Sequence, residues 1–79
     1  MKIKLLVFGI LTDIFGNTSL ELEAPSPINV GGLRKIIIEK YPKVAELHIA
    51  VAVDEIYAND ETTINENQII ALIPPVSGG

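Results

Sequence analysis

Residues 29–42 read NVGGLRKIIIEKYP and form the stretch of this 79-residue chain with the clearest periodicity of an amphipathic helix. Asn29 is a favourable N-cap residue, and Pro42 ends the segment because proline disfavours helical backbone in the residue before it. We therefore predict a helix from Val30 to about Tyr41. Apolar residues spaced three, four and four positions apart give it one buried stripe, namely Val30, Leu33, Ile37 and Tyr41, with Ile36 beside it. Charged residues occupy the predicted solvent side, namely Arg34, Lys35, Glu39 and Lys40.

Two strand patterns precede this helix. Lys2 to Phe8 alternates, with an apolar residue at every second position from Ile3 to Val7, and its nearly continuous apolar end predicts a central, mostly covered strand. Thr18 to Glu23 also alternates and predicts a second strand in a hairpin with the first. The intervening residues 9–16 predict a loop with one helical turn. Pro25-Ser26-Pro27 then breaks the second strand.

Shorter strand patterns follow the helix. His48 to Val53 and Ile56 to Ala58 flank Asp54-Glu55 and predict a tight hairpin. Ile69 to Ile73 predicts a short buried strand that ends at Pro74. The order of two strands, a helix and three strands predicts an α+β domain in which one helix lies across a mixed sheet. We place this domain at residues 1–73 and a flexible tail at residues 74–79.

Composition excludes several kinds of site. The chain has no cysteine, which excludes disulfides, thiolate nucleophiles and cysteine-bound metals. His48 is the sole histidine and has no carboxylate pattern around it, so we expect an ordinary strand-edge residue and no metal site. No apolar stretch approaches the roughly 18 residues that a membrane span requires. Thr12 and Asp13 interrupt the apolar N-terminal run, so we expect a strand of a cytoplasmic protein rather than a signal peptide.

The net charge of −4 is unevenly distributed. All six basic residues fall within positions 2–43, and the rest of the chain carries six acids and no Lys or Arg. Such a chain is poorly suited to nucleic acid, where affinity depends on neutralising phosphates. The acidic second half either steers the chain toward a basic partner or serves solubility.

Motifs for catalysis and nucleotide binding are missing. Gly31-Gly32 precedes a helix start, but neither a G-x-x-x-x-G-K-[ST] loop nor a G-x-G-x-x-G turn is present. Ser77 lies outside any G-x-S-x-G motif, and no histidine–acid pair is placed to activate it. We therefore expect a chain that other enzymes act upon, with catalytic residues elsewhere.

The tail Pro74-Pro75-Val76-Ser77-Gly78-Gly79 supplies a reactive group of another kind. A terminal carboxylate can attack the α-phosphate of ATP, and the resulting acyl-adenylate accepts a sulfur nucleophile. Gly78 has no side chain to obstruct a partner's active site, and the two prolines stiffen the base of the tail. We expect the carboxylate of Gly79 to be the reactive group and residues 74–79 to be the segment that enters a partner.

The C-terminal residues 70–79, IALIPPVSGG, resemble the signature of the molybdopterin synthase small subunit family of sulfur carriers. Residues 7–13, 29–34 and 51–54 also resemble segments of that family, and the resemblance covers essentially the whole chain. It implies a ubiquitin-like β-grasp fold. It also implies that an adenylating enzyme of the ubiquitin-activating type uses ATP to activate Gly79, which is then converted to a thiocarboxylate.

The resemblance further implies that the tail inserts into a large catalytic subunit, within a heterotetramer, and gives its sulfur to precursor Z (cyclic pyranopterin monophosphate). The chain itself would bind no cofactor. One helix covers one sheet face only, so Phe8, Tyr57 and Ile73 are candidates for a partner interface on the other face, or else belong to the core. Three alternatives stay open: a sulfur carrier for thiamin, cysteine or tRNA thiolation, a ubiquitin-like modifier of lysines, and a plain interaction domain.

Overall fold

The computed structural model describes residues 1–75. In chain order these residues form strand β1, helix α1, strands β2 and β3, helix α2, a 3₁₀ helix, and strands β4 to β7. Their bounds are β1 Lys2–Val7, α1 Ile10–Phe15, β2 Ser19–Glu23, β3 Ile28–Asn29, α2 Val30–Lys40, the 3₁₀ helix Pro42–Glu46, β4 Ala50–Val53, β5 Ile56–Ala58, β6 Thr63–Ile64 and β7 Ile69–Ile73.

Five strands form one mixed sheet in the order β2-β1-β7-β4-β5. β1 pairs antiparallel with β2, as the hairpin prediction required, and parallel with β7, with Leu5 opposite Ile70. β4 is antiparallel to both β7 and β5. The predicted mixed sheet with one main helix is therefore confirmed. β3 and β6 form a separate two-stranded sheet that the sequence patterns did not predict.

The core lies between α2 and one face of the large sheet. Alternate residues of β1 and β7 point into it and are buried, as are three of the four residues of the predicted helical stripe. Tyr41, directly after α2, is half-buried, and its ring packs on Phe15 with centroids 4.3 Å apart. The large side chains that are fully buried are Ile3, Leu5, Leu11, Val30, Leu33, Ile37, Val51, Ile70 and Leu72.

The start of α2 lies where the sequence placed it. Asn29 has extended backbone, and its side-chain oxygen accepts a hydrogen bond of 2.8 Å from the Gly32 N–H. That bond satisfies one of the N–H groups that a helix leaves unpaired at its beginning. The N-cap prediction is confirmed.

Some local predictions were wrong. Residues 9–16 contain the six-residue helix α1, whose Leu11 is fully buried, rather than a loop with one turn. Residues Pro42–Glu46 form a 3₁₀ helix, and His48 precedes β4 instead of lying in a strand. Each of these segments is too short to show the periodicity from which helices and strands are predicted.

Two burial predictions also need correction. β1 and β7 are covered on one face only, and the residues of their other face are half-buried or exposed. Arg34 does not lie free on the solvent side of α2. Its Nε donates to Asp60 Oδ1 at 2.9 Å and its Nη1 donates to the Ile49 carbonyl at 3.0 Å, which ties α2 to the segments before β4 and after β5.

Candidate functional site

The carboxyl end of β7 positions the C-terminal segment. Because β1 and β7 are parallel, their last residues, Val7 and Ile73, lie at the same edge of the sheet. Pro74 and Pro75 continue from β7 without strand pairing. The remaining predicted tail residues, namely Val76, Ser77, Gly78 and the proposed reactive Gly79, lie outside the described residues.

The turn from β1 into α1 forms the support on which the base of this segment rests. Gly9 adopts φ 56°, and a Cβ added to it would lie 3.1 Å from the Pro74 Cγ. Glycine therefore suits this position both by its backbone conformation and by the close approach of the proline ring. The Gly9 carbonyl accepts two hydrogen bonds from Thr12, one from its N–H at 3.0 Å and one from its Oγ1 at 2.7 Å. These bonds hold the turn in place under Pro74.

The sheet face opposite α2 is open among the described residues, and we call it the open face. Strand register places one row of side chains across it, from β1 through β7 and β4 to β5, consisting of Leu6, Ala71, Ala52 and Tyr57. The two alanines lie between the larger apolar side chains of Leu6 and Tyr57, and Ala52 is buried while Ala71 is half-buried. Ile73 pairs with Ala50 and lies on the same face, next to the base of the C-terminal segment.

The charged residues of the open face are concentrated at its other end. Lys2 is paired with Glu23 and Lys4 with Glu21, and all four side chains are exposed. Apolar surface therefore predominates where β1 and β7 end, beside the C-terminal segment. A protein that approaches this segment meets the apolar end of the face first.

The structure places the three predicted interface residues as follows. Tyr57 is 72% exposed on the open face, Phe8 is 49% exposed directly after β1, and Ile73 is half-buried on the open face. Their role as an interface stays a prediction. The sequence interpretation missed the part that Ala52 and Ala71 play, because small residues give little signal for a surface until strand register places them side by side.

A second apolar surface borders the same turn. Ile10, the first residue of α1, is 53% exposed and lines an open groove of about 800 Å³ between α1, the end of α2 and the 3₁₀ helix. Ile14, Tyr41 and Leu47 contribute to its lining. Its charged lining residues carry both signs, namely Asp13, Glu46, Lys40 and Lys43.

Within residues 1–75, no polar or charged side chain is buried, and no cluster of three or more His, Cys, Asp or Glu side chains could hold a metal ion. None of the helices in this part of the chain is both long enough and apolar enough to cross a bilayer. The candidate functional features of residues 1–75 are the support under Pro74, the open face and the groove beside Ile10.

Comparison with known proteins identifies close relatives of the whole chain. The ThiS family model matches residues 5–79. The molybdopterin synthase sulfur carrier subunit of Caenorhabditis briggsae is 36% identical over 83 aligned positions, which span 100% of this chain and 99% of that protein. The protein of the same name from Caenorhabditis elegans is 34% identical with the same coverage of both chains.

Solved structures share the architecture. A Pyrococcus furiosus protein described as molybdopterin converting factor subunit 1 superposes with a TM-score of 0.88 at 21% identity, over 96% of this chain and 99% of that one. A crystal structure of SAMP1 from Haloferax volcanii gives 0.84 at 20% identity, over all of both chains. A complex of subunits 1 and 2 of the molybdopterin-converting factor from Helicobacter pylori gives 0.69 at 23%, again over all of both chains. At these identities the likeness shows the fold alone, which is the ubiquitin-like β-grasp fold, as expected.

Proposed function

The chain belongs to the ThiS family, and from this membership we propose that it is the sulfur-carrier subunit of a molybdopterin synthase. The observation that carries the proposal is the end-to-end match, at 36% and 34% identity, to two molybdopterin synthase sulfur carrier subunits. The chain is a sulfur carrier of molybdenum cofactor biosynthesis. The tail sequence that ends in Gly78-Gly79 supports the same assignment.

The chemistry that we propose takes place at Gly79. Its terminal carboxylate attacks the α-phosphate of ATP, pyrophosphate leaves, and an acyl-adenylate forms. Sulfur at the oxidation level of sulfide then attacks the acyl carbon and displaces AMP, which leaves a thiocarboxylate. The thiocarboxylate sulfur bonds to a carbon of precursor Z, in the step that builds the dithiolene of molybdopterin, and water cleaves the acyl–sulfur bond and restores the carboxylate of Gly79. Other proteins bind the ATP and supply the catalytic residues, so this chain needs no cofactor of its own.

Two partners follow from this proposal. One is an adenylating enzyme of the ubiquitin-activating type, which activates Gly79 in the cytoplasm. The other is the large subunit of molybdopterin synthase, in a heterotetramer of two small and two large subunits. The Helicobacter pylori structure, a complex of subunits 1 and 2, is the precedent for an assembly of this kind.

The open face is the surface that we assign to the large subunit. Its apolar end lies beside the base of the C-terminal segment, so one partner can cover the face and receive the segment together. Tyr57 and Phe8 are exposed aromatic side chains, and aromatic residues are enriched among those that contribute most to binding energy.

Intact-mass measurement tests the proposed chemistry. Protein isolated from cells that make the cofactor should include a species heavier than the carboxylate by the mass difference between sulfur and oxygen. Fragmentation should place that difference at Gly79. A variant extended beyond Gly79 is the matched control, since it keeps the fold but has no terminal glycine carboxylate. If the heavier species is never found in the wild-type protein, the proposal fails.

The same samples distinguish the alternatives. Co-purification with a large subunit other than that of molybdopterin synthase would indicate a sulfur carrier of another pathway. An isopeptide bond between Gly79 and a lysine, seen in peptide mass spectra, would indicate a protein modifier.

A further inference from the structure

The turn that supports Pro74 carries a large apolar residue on each side of Gly9. Phe8 precedes it and is 49% exposed, and Ile10 follows it and is 53% exposed. Neither side chain belongs to the buried core. We call Phe8, Gly9, Ile10 and Pro74 the collar, because Gly9 lies against Pro74 and Phe8 and Ile10 are the chain neighbours of Gly9. Phe8 adjoins the open face, whereas Ile10 lines the groove beside α1.

The length of the segment limits how far a partner can stay from the collar. Four residues follow Pro75, and at about 3.5 Å per residue they reach at most about 14 Å, whatever conformation they adopt. A partner that acts on the carboxylate of Gly79 must bring its reacting centre within that distance of Pro75. The partner's residues around that reacting centre must therefore contact the residues at the base of the C-terminal segment.

We infer that Ile10 is part of the interface with the large subunit. The surface of the large subunit around the opening that receives the C-terminal segment contacts both Phe8 and Ile10 of the collar. The inference rests on the proposed function and extends the interface beyond the open face to the start of α1. Two observations support it: Ile10 is adjacent to Gly9, whose carbonyl Thr12 holds in place, and Gly9 lies against Pro74.

The expected contact is apolar. Ile10 lines the groove together with Ile14, Tyr41 and Leu47, and the charged residues of the lining carry both signs. Burying the aliphatic side chain of Ile10 against the partner would contribute favourable binding free energy. The charged residues of the groove lining balance in sign, so they favour neither a strongly acidic nor a strongly basic partner.

Binding of the purified large subunit to three forms of the full chain tests this inference. The forms are the wild type, Ile10→Asn and the matched control Ile38→Asn. Ile38 is also an exposed isoleucine, at 37%, but lies on α2, which covers the opposite sheet face. Titration calorimetry should show affinity weakened at least about tenfold by Ile10→Asn and changed by less than about twofold by Ile38→Asn. Thermal unfolding should be the same for both variants within a few degrees.

The outcomes separate the inference from the function on which it rests. If the wild type does not bind the large subunit, the proposed function fails. If the wild type binds and Ile10→Asn binds equally well, or Ile38→Asn weakens binding as much as Ile10→Asn does, the role of the collar is overturned while the function stands. Should Ile10→Asn not fold, Ile10→Ala replaces it, and unchanged affinity of that variant would overturn the inference in the same way.

Discussion

At the scale of single residues, two non-glycine residues in the turn between β4 and β5 adopt a backbone conformation that favours glycine. Asp54 has φ 49° and Glu55 has φ 71°, as a two-residue hairpin turn of this kind requires. Asp54 has a compensating role, since its Oδ1 accepts a hydrogen bond from the Ile69 N–H at 2.9 Å and its own N–H donates to the Ile69 carbonyl. Glu55 has no hydrogen bond of its side chain among the described residues.

Replacing Glu55 with glycine should therefore stabilise the protein. We expect Glu55→Gly to raise the free energy of unfolding by about 0.5–1 kcal/mol, because glycine adopts positive φ without steric cost. Urea unfolding measures the change. The matched control is Glu55→Ala, which removes the same carboxylate but keeps a Cβ at positive φ, and which should not stabilise. Equal gains from both variants would show that charge, rather than backbone conformation, is responsible.

At the scale of elements, the first turn of α2 contains two glycines, Gly31 and Gly32, which lower its helix propensity. The segments that pack against this turn explain why glycine is present there. Glycines in a helix cost up to about 1 kcal/mol each relative to alanine. A Cβ on Gly31 would lie 3.2 Å from the Asp60 Cβ, and one on Gly32 would lie 3.0 Å from the Ile28 Cγ1. The glycines allow the β5–β6 connection and β3 to approach the helix closely. Their packing, rather than helix propensity, accounts for the pair.

The N-cap Asn29 stabilises this first turn. We expect Asn29→Ala to lower the free energy of unfolding by about 1 kcal/mol, because the Gly32 N–H loses its acceptor. Asn29→Asp keeps an acceptor oxygen at that position and should cost clearly less. Chemical unfolding of the two variants beside the wild type measures the difference. Equal losses would indicate that the residue acts through its place in β3 and not as a cap.

At the scale of the whole molecule, the large sheet has two different faces. α2 covers one of them, and the other carries the row from Leu6 to Tyr57 beside the base of the C-terminal segment. β5 places neighbouring residues on opposite faces. Tyr57 lies on the open face and Ile56 pairs with Val53 on the other, and both side chains are 72% exposed.

Because Tyr57 and Ile56 are equally exposed on opposite faces, substitutions at the two positions show which face binds the large subunit. We expect Tyr57→Ser to weaken binding of the large subunit at least about tenfold, because an exposed aromatic side chain at an interface loses its buried area. Ile56→Ser should change the affinity by less than about twofold, since its side chain is directed away from the open face. Surface plasmon resonance with immobilised large subunit measures both. If Ile56→Ser has the larger effect, the interface lies on the α2 side of the sheet.

The sequence was a good guide where a repeating pattern extends over enough residues. The buried side of β1, the hairpin with β2 and the N-cap of α2 all follow from alternation, helical spacing and capping chemistry, which act locally. β3 and β6 were missed because each has two residues and pairs with a segment distant in the chain, and α1 was misjudged because six residues are too few to show helical periodicity.

The candidate site divides in the same way. The reactive character assigned to Gly79 and the absence of cysteine follow from residue identity, and the family follows from sequence similarity along the chain. The open face could not be predicted in full, because its central row joins residues 6, 71, 52 and 57 through strand register. The collar likewise requires the parallel pairing of the first strand with the last.

The sequence by itself determined the α+β class and the main helix with its cap, because these depend on residue type and short-range spacing, and it is the sole basis of the chemistry that we propose for Gly79. Only the tertiary structure decided which strands are neighbours, which sheet face is left open, and that Pro74 rests on Gly9 between Phe8 and Ile10. Those features depend on contacts between residues that are distant in the chain. Burial of the apolar side chains of β1 and β7 against α2 brings the two ends together.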